Sequence, residues 1–276
     1  MRSAVHVVTL NPNALKEYYV IAKLVTQWRE WGHSITVGPA QNLSVGLGIM
    51  HIDRTKVIPE LVPETQLPLL NGRVLDTSKN LFSTLRVYPD DTWAGQVIIK
   101  STLNCFGTPE RNSYRPGFFE RRRRELAESS WRLARMLPEK EYPVLKDISA
   151  VPGWVWKRDD LIVERFMPER EGDLYSIRGW LFFGDRGYTY RLFSKSPVVK
   201  VATTIHYEIL DHVPPELELL RKTHGYDFGK FDYVEVDGRP VVIDMNKTPT
   251  TIAKPDSPRM LDLAQGIYGF PGMRGS

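Results

Sequence analysis

The chain has 276 residues, 42% hydrophobic and 25% charged, which suffices for a substantial core or a few small lobes without staples. Its single cysteine, Cys105, excludes an internal disulfide framework and thiolate metal clusters and fits a reducing cytoplasm. A net charge of +4 is mild and concentrated in one arginine run, so an anionic ligand accounts for it and nucleic-acid binding is not expected. No charged leader with a long apolar core opens the sequence, and no run of about eighteen apolar residues occurs, so neither secretion nor membrane spanning is expected.

In chain order, residues 4–10 form an apolar strand, residues 12–31 a helix, and residues 32–39 a loop, strand and stop, giving a β-α-β opening. A third strand over 45–51 runs into Ile52-Asp53. In a parallel sheet the carboxyl ends of strands border the ligand crevice, so His51 and Asp53 are candidates to line a substrate pocket; local capping and core packing are the plainer alternative. Asp76-Thr77-Ser78-Lys79 precedes the strand 96–100, an apolar run ending in Lys100 that suits delivery of an ammonium to a phosphate. The following segment, 101–107, contains one glycine.

Residues 116–136 read as an amphipathic helix, with Phe119, Leu126, Leu133 and Met136 on an apolar stripe and Arg121 to Arg124 mostly opposite. Those arginines are either a solvated face paired with Glu120, Glu125 and Glu128 or phosphate and carboxylate binders. Residues 161–168 form another apolar strand, broken by Glu164 and closed by Pro168. Residues 174–183 and 187–193 pair as antiparallel strands, carrying Arg178, and a loop with Lys195 and Lys200 follows. Asp237-Gly238, between the alternating run 231–236 and the apolar run 240–245, is a strong hairpin signal. Asp244 and Asn246 are two apart and leave one strand on the same face, and Asp232 on the outgoing strand faces them. Three hard oxygen donors of this kind suit Mg²⁺ on a nucleotide, although exposed Asp and Asn are also common at strand ends.

An acid on one strand, then an acid and an Asn separated by one position on the next, resembles the ATP-grasp superfamily of ligases, which includes D-alanine–D-alanine ligase and glutathione synthetase. The order of lysine, lysine strand, acidic strand and Asp followed by Asp-x-Asn carries the resemblance over about 170 residues. It implies an α/β (α+β) ATP-grasp fold, with two lobes gripping ATP behind a small α/β domain. The boundaries it suggests are 1–75 for that domain, 76–168 and 169–267 for the lobes, and 268–276 for a tail. It further implies that Asp232, Asp244 and Asn246 hold Mg²⁺, and that Lys79, Lys100 and Lys200 contact the nucleotide. By the same resemblance Glu164, Arg165 and Phe166 would form the adenine hinge, Glu171 or Glu169 would bind the ribose and Lys230 would lie near the transferred phosphoryl; Arg178 joins it there if strand alternation turns that residue inward, a face the sequence does not assign. Residues 248–251 lie where the family binds the acyl substrate. The glycine-poor lid, the short Lys79 to Lys100 spacing and the long stretch from Gly107 to Glu164 depart from the family pattern.

The activity implied is ATP- and Mg²⁺-dependent joining of a carboxylate to an amine through an acyl phosphate, with small molecules, an amino acid or a peptide as substrates. Members are often dimers. A kinase on the same fold, or an ATP-binding protein that has lost turnover, are the alternatives; ADP with an amide, ADP with a phosphorylated acceptor, or binding without ADP release distinguishes them.

Overall fold

The computed structural model describes residues 3–44 and 46–273. The amino-terminal alternation folds as a parallel unit: β1 (Ala4–Val8), α1 (Val20–Glu30) and β2 (Ser34–Gly38), extended by β3 (Leu47–Met50) and β4 (Leu69–Leu70) to the order β2-β1-β3-β4. Helix α1 begins later than residue 12 because the chain first makes turns, with Ala14 N–H bonded to the Asn11 carbonyl and Tyr19 N–H to that of Lys16. Strand β3 is shorter than the expected 45–51, and Val45 lies outside the described residues. Gly46 has φ +68°, and a Cβ there would lie 1.6 Å from the Ala4 carbonyl oxygen, so only glycine lets the chain enter this sheet.

The middle of the chain forms β5 (Val97–Ser101), α2 (Thr108–Arg111), α3 (Phe118–Ala134), β6 (Val144–Leu145) and β7 (Leu161–Arg165), with an antiparallel sheet in the order β6-β5-β7. Helix α3 overturns the expected apolar stripe. Phe119 is 86% and Leu133 77% exposed, whereas Ala127 and Ala134 are buried. The helix breaks at Ser130 (φ −151°, ψ 69°), so the seven-residue spacing of the large side chains does not continue along one face. Arg123 folds back onto the far end, donating to the carbonyls of Ala134 and Arg135 at 2.7 and 2.8 Å.

The rest forms β8 (Glu169–Glu171), β9 (Leu174–Phe183), β10 (Arg186–Ser194), β11 (His206–Leu210), α4 (Pro215–Thr223), β12 (Phe228–Val236), β13 (Arg239–Asn246) and α5 (Pro258–Gln265). Its antiparallel sheet runs β11-β10-β9-β12-β13, with β8 also on β9. The turn between β12 and β13 has φ 51° at Asp237 and 74° at Gly238, two left-handed residues that match the right-handed twist of the strands. One core joins this sheet to the first: Trp28 and Ile21 of α1 pack with Phe183, Phe228 and Leu263, and Trp28 Nε1 donates to the Ala264 carbonyl at 2.9 Å. Met273 is fully buried in that core, which corrects its assignment to a tail; residues 274–276 lie outside the described residues. Among the described residues no helix is long and apolar enough to cross a membrane.

Candidate active site

The end of the β12–β13 hairpin faces the β5–β7 sheet across a cavity of about 300 Å³. Lys79, Lys100, Lys200, Lys230, Asp232, Asp244 and Asn246 line it, with Arg165, Phe166 and Met167 at the end of β7 and apolar walls from Leu85, Ile98, Ile177 and Val199. Strand alternation explains the hairpin's share. Lys230 and Asp232 are two apart on β12, and the antiparallel register sets Asp232 opposite Asp244 and Lys230 opposite Asn246. A bulge between Asp232 and Tyr233 leaves Ile243 as the extra residue beside Asp244, the kind of register break that re-aims side chains at a site.

Lysines neutralise the acids in pairs. Lys230 Nζ lies 2.8 Å from Asp232, Lys79 Nζ 2.8 Å from Asp244, and Lys100 Nζ 2.6 Å from Glu164. Lys79 reaches this point because Asp76 caps the Ser78 amide at 2.7 Å and Lys79 N–H bonds the Thr102 carbonyl, pinning its turn to the end of β5. Burial alone would raise Asp244, but Lys79 overrides it and holds the carboxyl below its ordinary range. Asp232 goes the other way: burial, together with the repulsion of Asp244, outweighs Lys230. Burial opposes the charge of Lys79 and Lys230, yet Asp244 and Asp232 raise both ammonium groups above the usual lysine range.

Asn246 is committed to its own loop. Its Oδ1 accepts from Thr248 N–H at 2.8 Å, Asn104 Nδ2 at 3.2 Å and Thr248 O–H at 3.3 Å, an orientation that the network assigns. Among the described residues no group of three His, Cys, Asp or Glu side chains is spaced to hold a metal. The donor set is instead two carboxylates and one amide oxygen. The carboxylates fit a hard divalent cation, and Asn246 fits it on exchange of hydrogen bonds.

The β7 end offers less backbone than its pattern suggests. Arg165 N–H is bonded to the Leu85 carbonyl and Phe166 N–H to that of Gln96, so among the described residues Met167 carries the first amide beyond the strand without a hydrogen bond. The Arg165 guanidinium turns away to the Thr84 carbonyl at 2.9 Å and over the Trp93 ring. Glu164 lies behind the cavity wall, fully buried against Lys100. Lys200 Nζ donates to the Lys140 carbonyl at 2.6 Å and sits 5.9 Å above the Phe106 ring; Lys195 is exposed and does not line the cavity.

Two expected site residues lie elsewhere. Arg178 pairs in register with Tyr233, one step from the Asp232 pair, and alternation sends it to the opposite sheet face. There it binds Glu169 at 2.9 Å and Glu235 at 2.9 Å and cannot meet a group held by Asp232. Glu171 ends the short β8 edge strand and bonds Arg191 at 2.5 Å outside the cavity; Glu169 is likewise held by Arg178 and Arg191.

The sequence gives no sign of Tyr142. Its ring stacks on Phe106 at 4.2 Å and closes the cavity, and burial keeps its hydroxyl protonated despite Lys79. The lid bends through three left-handed residues, Cys105 (φ 45°), Phe106 (φ 59°) and Gly107 (φ 72°), and the two non-glycine positions cost roughly 1–2 kcal/mol each. Crowding, then Asp244 and Asp53, push the Cys105 thiol up to about 12, although the residue keeps an exposed edge.

Several solved structures are similar to the chain at low sequence identity. The macrocyclase MdnC from Microcystis aeruginosa, solved with its precursor peptide MdnA, is 10% identical, with a TM-score of 0.50 over 96% of this chain and 97% of that one. A peptide-associated ATP-grasp ligase from Chryseobacterium gregarium, in complex with ADP and a leader and core peptide, is 9% identical, with a TM-score of 0.49 over 96% of each. D-alanine–D-alanine ligase from Bacillus anthracis is 9% identical, with a TM-score of 0.47 over 98% of this chain and 94% of that one. No family sequence model and no curated protein sequence matches. At this level of identity the likeness shows the fold alone, the mixed α/β architecture that this chain shares with MdnC.

Proposed function

We propose that the chain is an ATP- and Mg²⁺-dependent ligase that joins a carboxylate to an amine through an acyl phosphate. The observation that carries this reading is the meeting of four lysines with the cross-strand pair Asp232 and Asp244 in one cavity between two antiparallel sheets. In it, the apolar wall and the free Met167 amide receive the base, and Lys79, Lys100 and Lys200 hold phosphate oxygens. Glu164 keeps Lys100 aimed. Asp232 and Asp244, with Asn246, would hold Mg²⁺, which when bound neutralises charge on the phosphates. Lys230 stabilises the oxygens of the transferred phosphoryl. The substrate carboxylate attacks the γ-phosphorus, ADP leaves, and the amine then displaces phosphate from the acyl carbon, losing a proton. Catalysis is chiefly positioning and electrostatics, so no side-chain nucleophile is required. Phe106 and Tyr142 keep water from the acyl phosphate.

The lobe boundaries at residues 76 and 169 belong to the same proposal, and the acyl and amine substrates are small molecules, amino acids or peptides. A second reading, nucleotide binding without turnover, draws on Cys105 and Phe106, which hold left-handed backbone where glycine would be free of strain. Calorimetric titration with ATP tests the centre of the proposal. Binding should require Mg²⁺ and collapse in Asp244→Ala/Asn246→Ala; wild-type protein that binds no ATP would remove it, and binding without carboxylate-dependent ADP release would favour the second reading.

A further inference from the structure

Each carboxylate at the lysine cavity faces a cation: Asp232 faces Lys230, Asp244 faces Lys79 and Glu164 faces Lys100. Asp53 is different. It stands in the loop that follows β3, at the carboxyl edge of the parallel sheet, half-buried and with no ion pair among the described residues. Its two oxygens each accept one hydroxyl instead, Tyr19 O–H on Oδ2 at 2.5 Å and Thr248 O–H on Oδ1 at 2.8 Å. Two neutral donors from opposite sides fix the carboxylate without cancelling its charge. The ammonium of Lys247, which lies close by, is turned to the Val74 carbonyl at 3.1 Å.

Asp53 is tied to the cavity at two points. Thr248 O–H is also within 3.3 Å of Asn246 Oδ1, and Tyr19 is backbone-paired with Thr250, a residue of the cavity lining. Cys105, in the lid, lies in the fields of both Asp53 and Asp244. His51 backs the group. It is 2% exposed, neither ring nitrogen has a hydrogen-bond partner among the described residues, and its ring meets Tyr19 edge-on at 4.6 Å. Burial, then Lys247, push this imidazole down to about 3, so it is neutral and supplies no competing cation.

We infer that Asp53 is the binding group of an ammonium subsite, on which a primary-amine substrate docks its cationic head beside the lysine cavity. The inference rests on the ligase reading and adds where the amine is held and in which charge state it arrives. A carboxylate held by hydroxyls, in the field of Lys247 but in ion-pair contact with no cation among the described residues, offers an incoming ammonium a charge-assisted hydrogen bond, about twice as strong as a neutral one. A neutral alcohol of the same length gains no such interaction. Asp53 binds and orients in this scheme, and the bound ammonium releases one proton to solvent before its nitrogen can attack.

The test compares n-butylammonium chloride with n-butanol by saturation-transfer NMR titration of the full chain in the presence of Mg·ATP. Wild-type protein should prefer butylammonium by about tenfold, the equivalent of one charge-assisted hydrogen bond. Asp53→Asn should abolish the preference, and Tyr19→Phe, which keeps the charge but frees one oxygen, should reduce it only about two- to threefold. Thermal melts verify that each variant is folded, and the wild-type comparison stands alone should one of them not be. Equal binding of the two probes by the wild type, or an unchanged preference in Asp53→Asn, overturns the subsite. Mg·ATP affinity on the same samples separates two failures. Retained nucleotide binding with no charge preference removes the Asp53 subsite alone, whereas absent nucleotide binding removes the ligase reading and the subsite together.

Discussion

The ion pair behind the cavity wall makes an asymmetric prediction. Lys100 Nζ and Glu164 Oε2 are 2.6 Å apart with 9% and 1% of their side chains exposed, and at an effective dielectric near 20 their gross attraction is roughly 6 kcal/mol. The contact is electrostatic more than directional, since neither Glu164 oxygen makes a well-angled hydrogen bond. Desolvation offsets much of the attraction, so the measurable quantity is the cost of leaving one partner alone. Lys100 lines the cavity and can turn its ammonium into it, whereas Glu164 is sealed in. Lys100→Met should therefore destabilise by about 3–5 kcal/mol, Glu164→Gln by only about 1–3 kcal/mol, and the double variant should recover most of the loss. Urea unfolding followed by tryptophan fluorescence measures all four corners of the cycle. A Lys100→Met loss below about 1 kcal/mol, or strictly additive effects in the double variant, would refute the claim that the buried carboxylate depends on this lysine.

Gly266, at the end of α5, tests how the two flanking sheets are joined. A Cβ there would lie 2.2 Å from the Phe183 carbonyl oxygen, a backbone atom that cannot rotate away, so Gly266→Ala should lower stability by about 1–3 kcal/mol; an unchanged urea midpoint would show that α5 adjusts freely. His51 supplies a pH signature. Its folded value of about 3 lies below the 6.5 of an unfolded histidine, so the unfolded chain binds the extra proton between them, and stability present above 6.5 is lost as pH falls through that window. The slope from this one group is at most about 1.4 kcal/mol per pH unit, and His51→Leu should lack it; wild-type and variant curves that stay parallel between about pH 7 and about pH 4 would contradict the burial argument.

What could be read along the chain was whatever depends on neighbours a few residues away. The Asp237-Gly238 turn fixes the hairpin register, and the register alone sets Asp232 opposite Asp244. Lys79 was legible for a similar reason, because Asp76 caps the turn that carries it. Arg178 was not, since which face of β9 meets the cavity depends on β12, more than fifty residues later, and alternation gives two answers until that partner is known. The α3 stripe failed because the spacing of Phe119, Leu126 and Leu133 counts large side chains, whereas the helix packs through Ala127 and Ala134, whose small size permits close approach, and then breaks at Ser130. The composite polar groups were least accessible of all. Asp53 meets Thr248 across 195 positions and Asn104 meets Asn246 across 142, and no local pattern announces either contact. The same holds for the lysine pairs: the motif names acids as cation ligands, but only the folded chain holds Asp232 and Asp244 each against a lysine. Those lysines offset part of the repulsion between two half-buried carboxylates; in the proposed ligase a cation that takes both acids would displace an ammonium from each, leaving Lys79 and Lys230 free to turn toward the oxygens of a bound phosphate.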